Sequence, residues 1–149
     1  YHGVHLSPCG NMVLCLGCMS NGREMVKVRT EQIAIIDDDE RALMHKSAGL
    51  RDAGFINVET YRSPVKFVRR VAQQSPPDLI ITDMQMDPIT GLEMLDELSE
   101  IGVKSRHALL VSQADRPAGY SGDYLKKPAL TEDYISHLVA AVQGLLGLQ

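Results

Sequence analysis

Residues 33–39 read Ile-Ala-Ile-Ile-Asp-Asp-Asp, four apolar residues followed at once by three acidic ones. Residues 79–83 repeat this arrangement as Leu-Ile-Ile-Thr-Asp. A short apolar run between polar residues is typical of a strand buried on both faces, as strands are in parallel sheets covered by helices. Ligands of open α/β sheets bind at the carboxyl ends of the strands, so we expect both groups of acids in one crevice.

Strands and helices alternate from Gln32 onward. The strands are predicted at residues 33–36, 58–61, 79–82, 108–111 and 124–125. The helices are predicted at residues 40–53, from Ser63-Pro64 to Pro76-Pro77, around 92–98 with an end near Gly102, and from a Thr131 cap to about 146. This order of five strands and at least four helices predicts an α/β fold with a parallel sheet and right-handed crossovers.

Length, charge and cysteine content restrict the class of protein. A chain of 149 residues is enough for one domain with its own core. The net charge of -4 provides no basic face for nucleic acid, and no apolar run is long enough to span a membrane. Cys9, Cys15 and Cys18 all precede the predicted sheet, so no disulfide framework is expected. We therefore expect a soluble, cytoplasmic protein.

Residues 1–30 show neither helical nor alternating periodicity, and glycine recurs in them. The sequence predicts a leader or tail here, disordered or vector-derived, with the folded domain at residues 31–149. The leader also contains two histidines and the three cysteines, which include a Cys-x-x-Cys pair. Zinc binding by this cluster is the alternative, although the spacing matches no standard two-plus-two pattern.

The acidic groups at the strand ends are suited to phosphoryl chemistry. Asp37 and Asp38 repel each other unless a cation lies between them and a third acid such as Asp83. Mg²⁺ prefers such oxygen ligands. Asp83 is the candidate nucleophile, because a carboxylate can accept a phosphoryl group as an acyl phosphate. Lys127 can pair with the phosphoryl oxygens, and Ser112 can donate a hydrogen bond to one of them.

Taken singly, each of these motifs has an ordinary structural explanation. Three successive aspartates are common in a solvated turn, and a serine after a strand can cap the next helix. Their joint occurrence at the ends of successive predicted strands is what favours a site.

Residues 32 to about 146 resemble the receiver domain of two-component response regulators. The resemblance is carried by Ile-Ile-Asp37-Asp38-Asp39, Asp-Leu-Ile-Ile-Thr-Asp83-Met-Gln85-Met, Gly91-Leu-Glu, Leu-Leu-Val-Ser112 and Asp-Tyr124-Leu-Lys-Lys127-Pro128. It implies a flavodoxin-like, doubly wound five-stranded parallel sheet. It also implies a signalling module of the kind common in bacteria, which catalyses at most its own phosphorylation and dephosphorylation.

The resemblance assigns roles to individual residues. It implies that Asp37, Asp38, Asp83 and the backbone carbonyl of Gln85 bind Mg²⁺. It further implies that Asp83 receives the phosphoryl group from a histidine kinase or phosphotransfer protein, with Lys127 as the phosphate partner.

The resemblance also implies a switch pair, Ser112 and Tyr124. A phosphoryl group would draw Ser112 toward it, and Tyr124 would turn into the vacated space. A downstream protein, which the sequence does not identify, would bind the changed face. Homodimerisation stays open.

One interval departs from the pattern of the family. Only fourteen residues separate Ser112 from Lys127, and they include Pro117, Gly119 and Gly122. Proline and glycine both oppose helix formation, so the family's fourth helix is expected to be short or missing. The surface that most receivers use for output is then altered.

Two other functions stay open at this stage. A haloacid-dehalogenase-like phosphohydrolase would use Asp37 as nucleophile, with Asp39, Ser112 and a lysine beyond, but it leaves Asp83 without a role. A degenerate receiver would act as a protein-binding module without phosphorylation, and the missing helix favours it. The chain is either a stand-alone regulator or a receiver from a longer protein such as a hybrid kinase.

Overall fold

The computed structural model describes residues 3–6, 12–16, 24–128 and 133–148. Its elements, in chain order, are β1 Gly3–Leu6, β2 Met12–Leu16, β3 Glu24–Lys27, β4 Arg29–Ile36, α1 Glu40–Asp52, β5 Phe55–Tyr61, α2 Pro64–Val71, β6 Leu79–Asp83, α3 Gly91–Glu100, β7 His107–Ser112, β8 Asp123–Lys126 and α4 Tyr134–Leu145. Within the described residues, no helix has the length and apolar character needed to cross a membrane.

Five strands form one parallel sheet in the order β5-β4-β6-β7-β8. In the register, Ile36 of β4 lies beside Thr82 of β6, and Asp83 lies beside Val111 of β7. The carboxyl ends of these neighbouring strands therefore lie at one edge of the sheet. The predicted doubly wound α/β fold is confirmed.

Buried side chains pack on both faces of the sheet, which explains the apolar strand sequences. Ile33 and Ile35 belong to a cluster that includes Leu50 of α1 and Leu138 of α4. Their neighbours Ala34 and Ile36 face the other way, in a cluster with residues of α2 and α3. Because side chains alternate across a strand, a strand covered on both faces has to be apolar throughout. β6 is buried at all five positions.

Three helix starts follow from capping side chains. Asp39 caps α1 by accepting hydrogen bonds from the backbone N–H groups of Arg41 and Ala42. Ser63 caps α2 with Pro64 after it, as predicted. Thr90 and Glu93 form a reciprocal capping box on α3. Thr131, the predicted cap of the last helix, lies outside the described residues, and α4 follows Asp133, which makes no side-chain capping bond.

The described parts of the first thirty residues differ from the sequence prediction. β1, β2 and β3 form a separate antiparallel sheet in a segment where no regular structure was expected. β4 also begins earlier than predicted, at Arg29 instead of Ile33. The weak alternation of these short, glycine-flanked strands gave little signal. The domain boundary near residue 31 stays a prediction, and Cys9 and Cys18 lie outside the described residues.

The chain between β7 and β8 contains no helix. Residues 113–122 are all described and form turns and bends, which confirms the predicted loss of a helix here. Arg116 holds this loop together: its guanidinium lies 5.6 Å from the ring centre of Tyr124 and 5.9 Å from that of Tyr120. The same group donates hydrogen bonds to the carbonyl oxygens of Tyr120 and Gly122. Cation–π contacts and hydrogen bonds to backbone carbonyl groups thus stabilise the conformation of the loop.

Gly91 permits a close approach of α3 to the end of β6, and its replacement by alanine is expected to be destabilising. A Cβ atom at Gly91 would collide with the carbonyl oxygen of Asp83 and lie 2.9 Å from Thr82 Oγ1. Overpacking of this kind costs about 1–3 kcal/mol. We expect Gly91→Ala to lower the free energy of unfolding by that amount in a urea titration.

Gly144→Ala is the matched control for this prediction. Gly144 lies in α4, and a Cβ atom there meets nothing within 4 Å. The control is expected to stabilise the protein by up to about 1 kcal/mol, because alanine is the better helix former. Equal effects of the two substitutions would contradict the close approach at Gly91.

Candidate functional site

The residues singled out in the sequence are carried by four neighbouring strands. Asp37 directly follows β4, and Asp83 is the last residue of β6. Ser112 is the last residue of β7, and Lys127 directly follows β8. Since these strands are parallel and adjacent, all four residues lie at the same edge of the sheet. The four residues therefore lie together at the carboxyl edge of the sheet, as the sequence predicted.

Asp37 is buried and fully engaged within the chain. Its Oδ1 accepts a hydrogen bond from the backbone N–H of Asp39 at 2.9 Å. Its Oδ2 lies 2.8 Å from Nζ of Lys46, a side chain with no exposed surface. Lys46 comes from the buried face of α1, where it stands between Leu43 and Leu50. An internal cation thus already neutralises the first acid of the site.

The other two aspartates of the run have different environments. Asp38 is exposed, so its side chain is accessible to solvent. Asp39 is exposed as well, but its carboxylate is used to cap α1. The structure therefore separates the run into a buried acid, an accessible acid and a helix cap.

Asp83 is buried and paired with Lys127. The distance from Lys127 Nζ to Asp83 Oδ1 is 3.1 Å. Burial raises the pKa of Asp83, Lys127 and Lys46 act to lower it, and the negative charge of Asp37 raises it further. Asp37 and Lys46 are therefore near enough to Asp83 to influence its charge.

Ser112 and Tyr124 meet at a single residue of the helix-free loop. The hydroxyl oxygen of Ser112, which is buried, accepts a hydrogen bond from the backbone N–H of Ala114 at 3.1 Å. The hydroxyl of Tyr124 donates to the carbonyl oxygen of Ala114. The N–H of Lys127 donates to the carbonyl oxygen of Ser112 at 2.7 Å. The backbone of residues 112–114 therefore forms hydrogen bonds with the side chains of both predicted switch residues and with the N–H of Lys127.

The oxygen atoms of these aspartates are of the kind that a hard cation such as Mg²⁺ prefers as ligands. Asp38 is accessible and Asp83 has a second carboxylate oxygen outside its pair with Lys127, so oxygen ligands for Mg²⁺ are present. Among the described residues, however, no three acidic, histidine or cysteine side chains converge as a metal cluster. Gln85, whose carbonyl was expected to complete the shell, lies two residues beyond Asp83, in a loop with a cis Asp87-Pro88 peptide bond.

Two residues at the site were missed by the sequence analysis, Lys46 and Tyr134. The ring of Tyr134 lies close to two ammonium groups, with its centre 6.0 Å from Lys46 Nζ and 5.8 Å from Lys127 Nζ. Burial, and then the charges of Asp83 and Asp37, raise the pKa of its hydroxyl, which has no hydrogen-bond partner among the described residues. The available signal was the position of Lys46 within the apolar stripe of the first helix.

Comparison with known proteins agrees with this geometry. Residues 33–138 match the family model described as the response regulator receiver domain. The photosynthetic apparatus regulatory protein RegA of Cereibacter sphaeroides is 26% identical over 119 residues, which cover 76% of this chain and 64% of that protein. The chain thus spans less than two thirds of the length of this curated relative.

Solved structures of low sequence identity share the fold. The receiver domain of the histidine kinase CKI1 from Arabidopsis thaliana, complexed with Mg²⁺ and BeF3⁻, superposes with a TM-score of 0.63 at 18% identity and covers 78% of this chain and 90% of that one. The response regulator domain of Thermotoga maritima CheB gives 0.62 at 15% identity, covering 81% and 99%. These similarities favour neither the phosphohydrolase nor the degenerate-receiver alternative.

Proposed function

The chain belongs to the family of response regulator receiver domains, and we propose that it accepts a phosphoryl group on Asp83 from a histidine kinase or phosphotransfer protein. Receiver domains are signalling modules of two-component systems and are generally not enzymes. The observation that supports Asp83 is its position: a buried carboxylate at the carboxyl end of the central strand β6, with Lys127 Nζ at 3.1 Å.

The transfer step uses this pair directly. A carboxylate oxygen of Asp83 attacks the phosphorus atom of a phosphohistidine, the P–N bond breaks, and the released imidazole nitrogen takes a proton from solvent. The product is an acyl phosphate on Asp83. Lys127 exchanges part of its contact with the carboxylate for contacts with the phosphoryl oxygens and stabilises the charge on them.

The groups that would hold Mg²⁺ are the carboxylates of Asp38 and Asp83 and the backbone carbonyl of Gln85. Asp37 would support them without being a free ligand itself. When bound, Mg²⁺ supplies positive charge that neutralises the phosphoryl oxygens. Asp37 has both oxygens engaged by Lys46 and the N–H of Asp39, so its part in this arrangement is to orient the site.

A small phosphodonor tests the proposal without knowledge of the kinase. We expect intact-mass spectrometry after incubation with acetyl phosphate and Mg²⁺ to show the gain of one phosphoryl group. Borohydride reduction followed by peptide sequencing by mass spectrometry is expected to locate the acyl phosphate at Asp83. A modification found at another aspartate would contradict the assignment.

The signal is proposed to leave the site through Ala114. In the described state, Ser112 and Tyr124 bind opposite polar groups of this one residue. When Ser112 donates its hydroxyl proton to a phosphoryl oxygen on Asp83, its contact with the Ala114 N–H is strained or lost. The loop then shifts, and the bond that restrains Tyr124 shifts with it, which biases the population of the loop conformations.

Ser112→Ala is expected to separate phosphorylation from this response. In the wild type, beryllofluoride or acetyl phosphate should change the backbone hydrogen exchange of residues 113–124. In the variant, the adduct on Asp83 should still form, whereas the change in exchange should largely disappear because the hydroxyl that connects the two is absent. Ser99→Ala on the exposed side of α3 is the matched control and should respond as the wild type does. An unchanged loop response in Ser112→Ala would contradict the route through Ala114.

Partner and location belong to the proposal as well. The phosphodonor would be a histidine kinase or phosphotransfer protein, and the reaction would take place in the cytoplasm. Because residues 113–122 form no helix, the downstream partner would contact the loop held by Arg116, Tyr120 and Tyr124 instead of a helical surface.

A further inference from the structure

Lys46 is a charged residue in a position that packing alone does not explain. Its side chain has no exposed surface and lies on the face of α1 that also carries Leu43 and Leu50. An apolar side chain would fill this place without the cost of removing an ammonium group from water. Lysine is almost never fully buried unless it is paired, and here its partner is Asp37, at 2.8 Å.

The pair sits beside the proposed phosphoacceptor. The charges of both Asp37 and Lys46 influence Asp83, in opposite directions. The ammonium groups of Lys46 and Lys127 both lie over the aromatic ring of Tyr134. Two lysines therefore enter the acidic crevice, one from α1 and one from the end of β8, and each engages one buried carboxylate.

The charge balance follows from these contacts. Asp37, Asp38 and Asp83 bring three negative charges, and Lys46 and Lys127 return two positive ones. Without Lys46, the crevice would hold one more unit of negative charge, at a carboxylate with no other ammonium partner among the described residues. A divalent cation would then be attracted more strongly, because Coulomb interactions are strong at short range in a partly buried site.

We propose that Lys46 is a built-in counter-cation of the acidic site. As a positioning residue it holds the carboxylate of Asp37, and it performs part of the charge neutralisation that Mg²⁺ would otherwise supply. The wild-type protein then binds Mg²⁺ weakly, and its acceptance of a phosphoryl group depends only modestly on Mg²⁺. The second consequence rests on the proposed function, whereas the first does not.

The test is the Mg²⁺ affinity of the full chain, measured by calorimetry and by the rise of the melting temperature with Mg²⁺ concentration. Lys46→Met keeps the length of the side chain and removes its charge. We expect it to bind Mg²⁺ about tenfold more tightly or better than the wild type. Lys66→Met, at an exposed position of α2, is the matched control and should leave the affinity unchanged.

A second pair of variants guards against misfolding of Lys46→Met, in which Asp37 is left buried without its partner. Asp37→Asn is compared with the double variant Asp37→Asn/Lys46→Met, which contains neither buried charge. The double variant should again bind Mg²⁺ more tightly than the single one. Equal affinities within either pair would overturn the proposal and reduce Lys46 to a structural residue.

Phosphorylation by acetyl phosphate, with Mg²⁺ and with EDTA, gives the second readout. We expect the rate with Mg²⁺, divided by the rate with EDTA, to be small in the wild type and larger in Lys46→Met. A wild type that requires Mg²⁺ as strictly as the variant would overturn this part of the proposal. If no variant is phosphorylated and the affinities still differ as expected, the proposed function fails and the role of Lys46 stands.

Discussion

Asp83→Asn is expected to abolish the gain of a phosphoryl group from acetyl phosphate. The amide has no nucleophilic carboxylate oxygen, so the acyl phosphate cannot form at this position. The fold should survive the change. Burial and the negative charge of Asp37 raise the pKa of Asp83, which means that the folded protein disfavours its ionised form. A neutral side chain of the same shape should therefore leave the melting temperature at neutral pH unchanged or higher.

Asp96→Asn provides the control for this experiment. Asp96 is an exposed carboxylate of α3, away from the strand ends, and its replacement should leave the mass gain intact. Both variants are measured by intact-mass spectrometry under the same conditions, together with their thermal unfolding. A phosphoryl adduct that persists in folded Asp83→Asn would show that another residue is the acceptor.

The sequence was sufficient to predict the strands of the parallel sheet and the acids at their ends. The reason is that the part of a strand covered on both faces must be apolar, so its carboxyl end is visible as an abrupt change from apolar to polar residues. Leu79 to Asp83 illustrates this, since all five positions are buried and the last one is the proposed phosphoacceptor. The missing helix was equally visible, because Pro117 and Gly119 leave too few residues for it.

Contacts between distant helices were not predictable in the same way. The sequence pattern assigned no role to Lys46, although it falls on the same stripe as Leu43 and Leu50. Its charge is explained only once α1 is packed against the sheet and brings Nζ to Asp37. Tyr134 comes from the other end of the chain, and its place near two lysines depends on how α4 packs next to α1. The periodicity of apolar residues predicts which face of a helix is buried, but it does not predict which residues of other elements pack against that face.

Local signals also failed where elements are short. β1, β2 and β3 contain four or five residues each and are separated by glycine-containing segments, so no period could be recognised from the sequence. Ala48 is an apolar residue of the first helix that a pattern of apolar positions would assign to the core, and the structure places it at the exposed surface. Small residues carry little information on burial, because they are tolerated on either face.

Lys127→Met is expected to reduce the rate of phosphorylation by about a hundredfold, the usual effect of removing one charged group that stabilises a transition state. Lys127 Nζ lies 3.1 Å from Asp83 Oδ1, and loss of this contact slows the reaction in two ways. The developing charge on the phosphoryl oxygens loses its ammonium partner. In addition, Lys127 is the strongest of the charges that lower the pKa of Asp83, so the nucleophilic carboxylate becomes less favourable without it.

Lys126→Met is the matched control, because it removes a neighbouring lysine of the same charge and length. Lys126 is exposed and pairs with Asp115 in the helix-free loop, at 2.6 Å, instead of entering the crevice. Its replacement should leave the rate of acyl phosphate formation unchanged, since an exposed ion pair contributes little. Only a specific contact with Asp83 predicts that two adjacent lysines differ so strongly. Equal rates in the two variants would mean that Lys127 acts through the overall charge of the surface, and the pair with Asp83 would lose its role in the transfer.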